Sequence, residues 1–432
     1  MNKKFTYFLI KNLTYTFFMK YQFLLIFTFI TQLSIGQNME FELKKIFESN
    51  KLMGLTIATF NKNGTKKYNI GLQNYEIEKS ITDDTQFRIA SISKAIAALG
   101  LMKLYDQKKF QLDDDVSKTL GFELRNPNFP DVPITFAMIL SHTSSINDGA
   151  GYDGFLAATY KEKIPNINSV LLADGTNYSK DIWLNHKPGT FFTYCNLNFG
   201  LVGTLIEKLS QTRFDIFMKN EILKPLSFSA GYSIQDVTDI ENVAVLYRSE
   251  NNEWKPQKDN YKGVKPTPND MSGYEIGTNG AYFGPQGGLR ATSGDLIKFL
   301  QFLKTDGKSV LKLISKKTLQ KMKASQWIFD GKNGDTFSGF FKQYGLGLHQ
   351  TNTCDTDAVA DAKTFGKFVG HAGDAYGLIS DAYYSEKQNF GFVLITNGCL
   401  TAFEKGKTTS FYKFEEEIFK LVCDDYSKIL KL

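Results

Sequence analysis

Apolar residues recur along the chain with two different periods, and the change from one to the other divides the sequence into three stretches. Runs of β type at 54–60 and 66–72 flank Asn61-Lys62-Asn63-Gly64, which predicts a hairpin. A short strand-like segment at 87–90 then leads into 91–104, so rich in Ala and Leu and apolar on so many sides that a buried helix is expected. From about 106 to 279 helical pieces alternate with polar loops. The clearest helices there are 136–141 and 199–209, and 250–275 reads as an extended surface loop. After Gly287-Gly288-Leu289, residues 293–300 read as a capped helix, 378–385 and 390–397 as strands, and 411–429 as a helix with an apolar stripe. Strand hairpins at both ends around a helical middle predict a single α/β domain. In it, 37–105 and 280–432 form a sheet lobe and 106–279 an inserted helical lobe.

Residues 1–36 stand apart. From Met19 a basic start, an apolar stretch centred on 23–30 and the small residues Ser34 and Gly36 have the anatomy of a secretory signal cleaved after Gly36. The placing of Met19 favours it over Met1 as the start of translation, and the rest of the chain is expected to be periplasmic or extracellular. The alternative, an uncleaved anchor, is disfavoured because the run is short and contains Thr and Gln.

Composition narrows the partners. The 432-residue chain is 42% hydrophobic, enough for a sizeable core. Its formal charge of +6 falls to +2 once 1–36, with four lysines and no acids, is set aside. That balance argues against nucleic acid as the main partner, and the membrane is met only through the export signal. Cys195, Cys354, Cys399 and Cys423 are too scattered for a zinc ribbon or a disulfide scaffold. Gly307-Lys308-Ser309 and Gly406-Lys407-Thr408 lack the first glycine of a phosphate loop. The run Asp113-Asp114-Asp115 reads as a solvated turn, and no metal or organic cofactor is implied.

The chemistry concentrates in three places. Ser91 and Lys94, three apart on the expected helix, share one face. A serine hydroxyl needs a neighbour to take its proton, and a lysine does so only when neutral. The apolar surroundings and the positive helix N-terminus both favour the neutral amine. The same spacing recurs at Ser309–Lys312 and Ser410–Lys413, where a surface helix suffices as explanation. Tyr194-Cys195-Asn196 sits at the entrance of the second clear helix. A phenol beside a cationic lysine would have its pKa lowered and pass a proton, and Asn196 offers both donor and acceptor. A core aromatic and a helix cap are the bland readings of that pair. His371-Ala372-Gly373-Asp374 precedes the 378–385 strand, its glycine letting substrate lie against a strand edge. A Ser-His pair using His142 or His371 remains an alternative.

Together these motifs resemble the serine β-lactamase and penicillin-binding-protein superfamily, in its class C-like branch. Phe87-Arg88-Ile89-Ala90-Ser91, Leu140-Ser141-His142-Thr143-Ser144, Gly287-Gly288-Leu289 and Tyr344-Gly345-Leu346-Gly347 are similar to the same branch, so the resemblance runs from about 50 to 400. It implies an antiparallel sheet flanked by helices. It also implies Ser91 as acylated nucleophile, Lys94 as its base and Tyr194 as general acid/base. Asn196, His371 and Gly373 would contact substrate, and the Asp374 backbone N–H would complete the oxyanion hole. Ser145-Ile146-Asn147 is a lesser counterpart of the Tyr194 motif. Where strict β-lactamases and transpeptidases carry Lys-Thr-Gly, this chain has His371-Ala372-Gly373, which weakens recognition of a substrate carboxylate. The resemblance therefore implies an exported esterase- or peptidase-like serine hydrolase with a small-molecule or peptide substrate: a small ester, a D-amino-acid peptide or a cell-wall fragment. A D-alanyl-D-alanine carboxypeptidase, a class C-like β-lactamase and an inactive peptidoglycan-binding protein are the alternatives.

Overall fold

The computed structural model describes residues 39–161, 164–251, 253–307, 313–399 and 404–430. The expected signal at 1–36 and the Ser309–Lys312 motif lie outside them. The two ends of the chain meet in one antiparallel sheet of nine strands. Its order is Lys79–Ser80, Gly64–Asn74, Gly54–Asn61, Gly391–Thr396, Leu378–Ser385, Phe368–Ala375, His349–Thr351, Gln343–Tyr344 and Trp327–Ile328. The N-terminal hairpin closes at Asn61 opposite Gly64, and Ile57 pairs with Leu394 from the last strand.

Gly391–Thr396 and Leu378–Ser385 are buried at every position, which a strand tolerates only when both sheet faces are covered. Their side chains divide by the period of two. Val393 and Ile395 join the core that holds the Ile92–Asp106 and Ser293–Lys304 helices. Phe392 and Leu394 join a second core with Ile418, Phe419 and Val422 of the Lys413–Leu430 helix and Leu43 of a helix at 39–49. Ile92–Asp106 is the central helix, buried along almost its whole length as its Ala- and Leu-rich sequence predicts. Ser293–Lys304 begins with a capping box: Thr292 accepts from the Asp295 N–H and Asp295 from the Thr292 N–H, worth about 1 kcal/mol.

Two local expectations are corrected. The 250–275 loop starts as a hairpin, Leu246–Glu250 with Glu253–Lys258, whose polar alternation reflects an exposed two-stranded ribbon anchored by buried Tyr247. Its Asp259 is no surface residue but lies buried between Arg88 and Arg290, both at 2.8 Å. The acidic run is not merely a solvated turn: Asp115 caps Val116–Leu120 and pairs with Arg125 at 2.5 Å. The helix entered at Asn196, as the sequence predicts, runs Asn196–Ser210, and a carboxylate from a distant loop caps it.

Candidate active site

Ser91 occupies the N-cap position of Ile92–Asp106. The residue before it, Ala90, has φ +46°, a left-handed conformation that costs an alanine about 1 kcal/mol. The turn is held from both sides: the Ile89 N–H donates to Leu289 O at 3.0 Å, and Ser380 Oγ donates to Ile89 O at 3.1 Å. Gly373 is part of the same clamp. A Cβ there would stand 2.7 Å from Ile89 O and 3.0 Å from the Ala90 Cβ, so no side chain fits between the strand and the serine's turn.

Lys94 is wholly buried, and its amine stands among three oxygens: Ser91 Oγ at 2.9 Å, Asn196 Oδ1 at 2.7 Å and the backbone oxygen of Gln286 at 2.7 Å. Burial lowers its pKa to about 7, against the opposing pull of the Asp148 carboxylate and Cys195. Two of the three oxygens only accept. A neutral amine spends its two hydrogens on Asn196 and Gln286, and its lone pair then points at the Ser91 hydroxyl.

Tyr194 is hydrogen bonded with Ser91, and its ring centre lies 4.9 Å from the Lys94 nitrogen. Its phenol pKa is raised, not lowered as the sequence suggests, because burial outweighs the hydrogen bond it shares with Ser91. Tyr194 therefore stays protonated, suited to relaying a proton rather than holding a charge.

Asn196 owes its orientation to a residue that sequence reasoning missed. Asp148 accepts from the Asn196 N–H (2.8 Å), the Asn196 Nδ2 (2.8 Å), the Leu197 N–H (2.9 Å) and the Cys195 thiol (3.3 Å). It caps the Asn196–Ser210 helix and, by taking the amide nitrogen, leaves Oδ1 facing Lys94. The only sequence signal was an acid one residue beyond the Ser145-Ile146-Asn147 motif. That motif is structural: Ser145 bonds His186 O and Leu184 O, away from Ser91. Replacing Asp148 with alanine is expected to lower the thermal midpoint by a few degrees and hydrolytic turnover by up to about 10²-fold, read in one purified preparation. Unchanged turnover would show that Asn196 needs no such support.

The hydrogen bonds of His142 and His371 run to groups other than Ser91. His142 is buried, with Nδ1 accepting the Cys195 N–H at 3.1 Å. His371 is buried too, its Nε2 2.9 Å from the Tyr344 hydroxyl. Burial and Lys94 hold both rings neutral, well below the usual imidazole range. Ser91, Tyr194, His371, Gly373 and Asp374 nonetheless line one cleft of about 320 Å³, with Phe337, Phe340, Phe341 and Phe411 on its apolar side. Among the described residues no cluster of His, Cys, Asp or Glu has the arrangement of a metal site.

The Beta-lactamase family model matches residues 42–409. The chain belongs to that family. Within it, the chain is 31% identical over 167 residues to Protein flp of Staphylococcus aureus (strain MRSA252), covering 38% of this chain and 32% of that protein. It is 23% identical over 235 residues to Penicillin-binding protein 4 of Amycolatopsis lactamdurans, 53% of each chain. The chain thus matches about a third to a half of the length of these curated relatives. Among solved structures it resembles the octameric penicillin-binding protein homologue from Pyrococcus abyssi (TM-score 0.66, 22% identity, 90% of this chain and 76% of that one). It also resembles the D-amino acid amidase from Ochrobactrum anthropi SV3, solved with L-phenylalanine amide (TM-score 0.64, 18% identity, 92% and 99%). At such identities the shared fold is what the likeness shows: an α/β architecture with a large antiparallel sheet, as the sequence predicts.

Proposed function

We propose that this chain is an exported serine hydrolase that cleaves an ester or amide through an acyl-enzyme on Ser91. The observation that carries the reading is the convergence of Lys94 and Tyr194 on the Ser91 hydroxyl, with the amine buried and poised near neutrality. Lys94 takes the proton as Ser91 Oγ attacks the carbonyl carbon, and the Ser91 and Asp374 backbone N–H groups steady the oxyanion. Tyr194 relays the proton to the departing oxygen or nitrogen, and the C–O or C–N bond breaks. Water then attacks the acyl-enzyme, losing its proton by the reverse route, and frees the acid and Ser91. His371 and Gly373 border the bound substrate, whereas Asn196, expected from the sequence to contact it, lies outside the cleft lining and holds Lys94 instead. Export rests on the signal-like anatomy of 1–36.

Simple esters and peptides fit this cleft better than β-lactams. Where a cationic lysine and a hydroxyl would meet a substrate carboxylate, His371 is neutral and hydrogen bonded to Tyr344, and Ala372 offers no side-chain donor. A fluorophosphonate probe is expected to label residues 37–432, with the adduct mapping by peptide mass spectrometry to Ser91. Nitrocefin is expected to be turned over slowly or not at all. No adduct together with retained muropeptide binding would favour an inactive binding protein, and rapid nitrocefin hydrolysis a β-lactamase.

A further inference from the structure

The wall of the cleft beside Tyr194 is aromatic, and one of its rings is held in an unusual way. Phe337 is 49% exposed, although the other rings of the lining are buried or half-buried. It stands on two consecutive left-handed residues, Phe337 at φ +47° and Ser338 at φ +60°, a conformation that side chains disfavour. The turn is nonetheless fixed. The Phe337 N–H donates to Asp335 Oδ1 at 3.0 Å, the Phe341 N–H to Thr336 O at 2.9 Å, and Ser410 Oγ to Ser338 O at 2.6 Å. Strain that keeps a large apolar ring out of the core stabilises little in the free chain; it presents the ring to a ligand.

The position of that ring says which part of a substrate it meets. Phe337 faces Tyr194 edge-on with ring centres 6.3 Å apart and lies 5.7 Å from Phe341, which stacks on the Tyr194 ring at 5.0 Å and 15°. Tyr194 is the group that hands the proton to the departing oxygen or nitrogen, so whatever that atom carries runs along these rings. An ionic partner finds little there. His371 turns its Nε2 to the Tyr344 hydroxyl, and Ala372 has no polar side chain. The charged residues around the rest of the cleft already have partners. Asp374 accepts from the Tyr412 hydroxyl at 3.0 Å with Arg248 and Lys405 near it, Lys405 donates to Ser410 O at 3.1 Å, and Glu415 accepts the Tyr412 N–H.

We propose that Phe337 determines specificity for the leaving group, so that the favoured substrate is an ester or amide whose departing alcohol or amine carries an uncharged ring or a branched alkyl group of similar size. The proposal deepens the reading of Ser91 as nucleophile and rests on it. A ring laid against Phe337, Phe341 and Tyr194 takes apolar surface of both partners out of water, and the cleft of about 320 Å³ has room for a benzyl group beside the scissile carbonyl. Because the turn already holds Phe337 in place, little ordering of the protein opposes that contact.

The test uses benzyl acetate, 2-methoxyethyl acetate and carboxymethyl acetate, each kcat/KM being divided by the ester's rate of alkaline hydrolysis. All form the same acetyl-enzyme, so the values differ through the leaving group alone. Benzyl acetate is expected to exceed 2-methoxyethyl acetate by at least about tenfold, with carboxymethyl acetate the slowest. Phe337→Ala should narrow the benzyl preference to within about threefold, and Phe337→Leu should keep most of it. On the acyl side, the ratio of 2-methoxyethyl phenylacetate to 2-methoxyethyl acetate should stay within about twofold of the parent's in Phe337→Ala, which separates a lost subsite from general damage. Equal values for benzyl and 2-methoxyethyl acetate, fastest turnover of carboxymethyl acetate, an undiminished benzyl preference in Phe337→Ala, or a fall confined to the acyl-side ratio would each overturn the subsite. If no ester is turned over, the Ser91 reading fails instead, and the product alcohols decide the subsite by ligand-observed NMR. Benzyl alcohol should then bind the parent more tightly than 2-methoxyethanol and lose that margin in Phe337→Ala; no margin in the parent would overturn the subsite.

Discussion

The Ser91→Ala protein is expected to hydrolyse p-nitrophenyl esters at least about 10³-fold more slowly than the parent, and to take up no fluorophosphonate label. The size of the effect follows from the geometry. Lys94 Nζ and the Tyr194 phenol both bond the same Oγ, and neither replaces it as a carbon-seeking nucleophile: the amine is enclosed by three oxygens and the phenol holds its proton. Removing Oγ leaves only the binding and oxyanion contributions. The methyl group of alanine fills the same N-cap space, and no side-chain cap bond of Ser91 is lost, so stability should change by less than about 1 kcal/mol. A variant that folds with parental stability and keeps its turnover would remove Ser91 from the chemistry.

Lys94→Met carries the second large effect, a loss of about 10²–10⁴-fold in turnover with the stem volume roughly kept. The pH dependence separates a catalytic amine from a packing residue. Burial lowers the Lys94 pKa to about 7, so the protonated amine predominates below that pH and cannot accept the serine's proton. Turnover of the parent should rise with pH through a midpoint near 7 and level off above it. The methionine variant should lose that limb, and Lys94→Arg, permanently charged, should be as slow as methionine across the range. A parent profile flat from pH 5 to 9, or an arginine variant of near-parental rate, would sink the assignment of Lys94 as base.

Much of this site was legible locally. An i, i+3 pair on a helix has one geometry, so a helix at 92–106 almost guarantees that Lys94 reaches Ser91. The hairpin 54–74 and the strands at 378–396 were legible for a similar reason, since alternation and turn residues act over a few positions. The 250–275 stretch misled because a two-stranded surface ribbon buries too little to show a period. The direction of the Tyr194 shift misled because it depends on burial, which a motif does not state. The proximity of a lysine was readable; the exclusion of water was not.

Sequence by itself determined the elements, the Ser91–Lys94 face and the replacement of a cationic motif by His371-Ala372-Gly373, all properties of neighbouring residues. Only the tertiary structure decided that Asp148, 48 residues before Asn196, orients the amide that receives Lys94. It alone buried the Tyr194 phenol deeply enough for it to keep its proton. The physical reason is range. Periodicity acts through a few bonds, whereas desolvation and the capping of a helix by a far-off carboxylate depend on which distant segments close over a group.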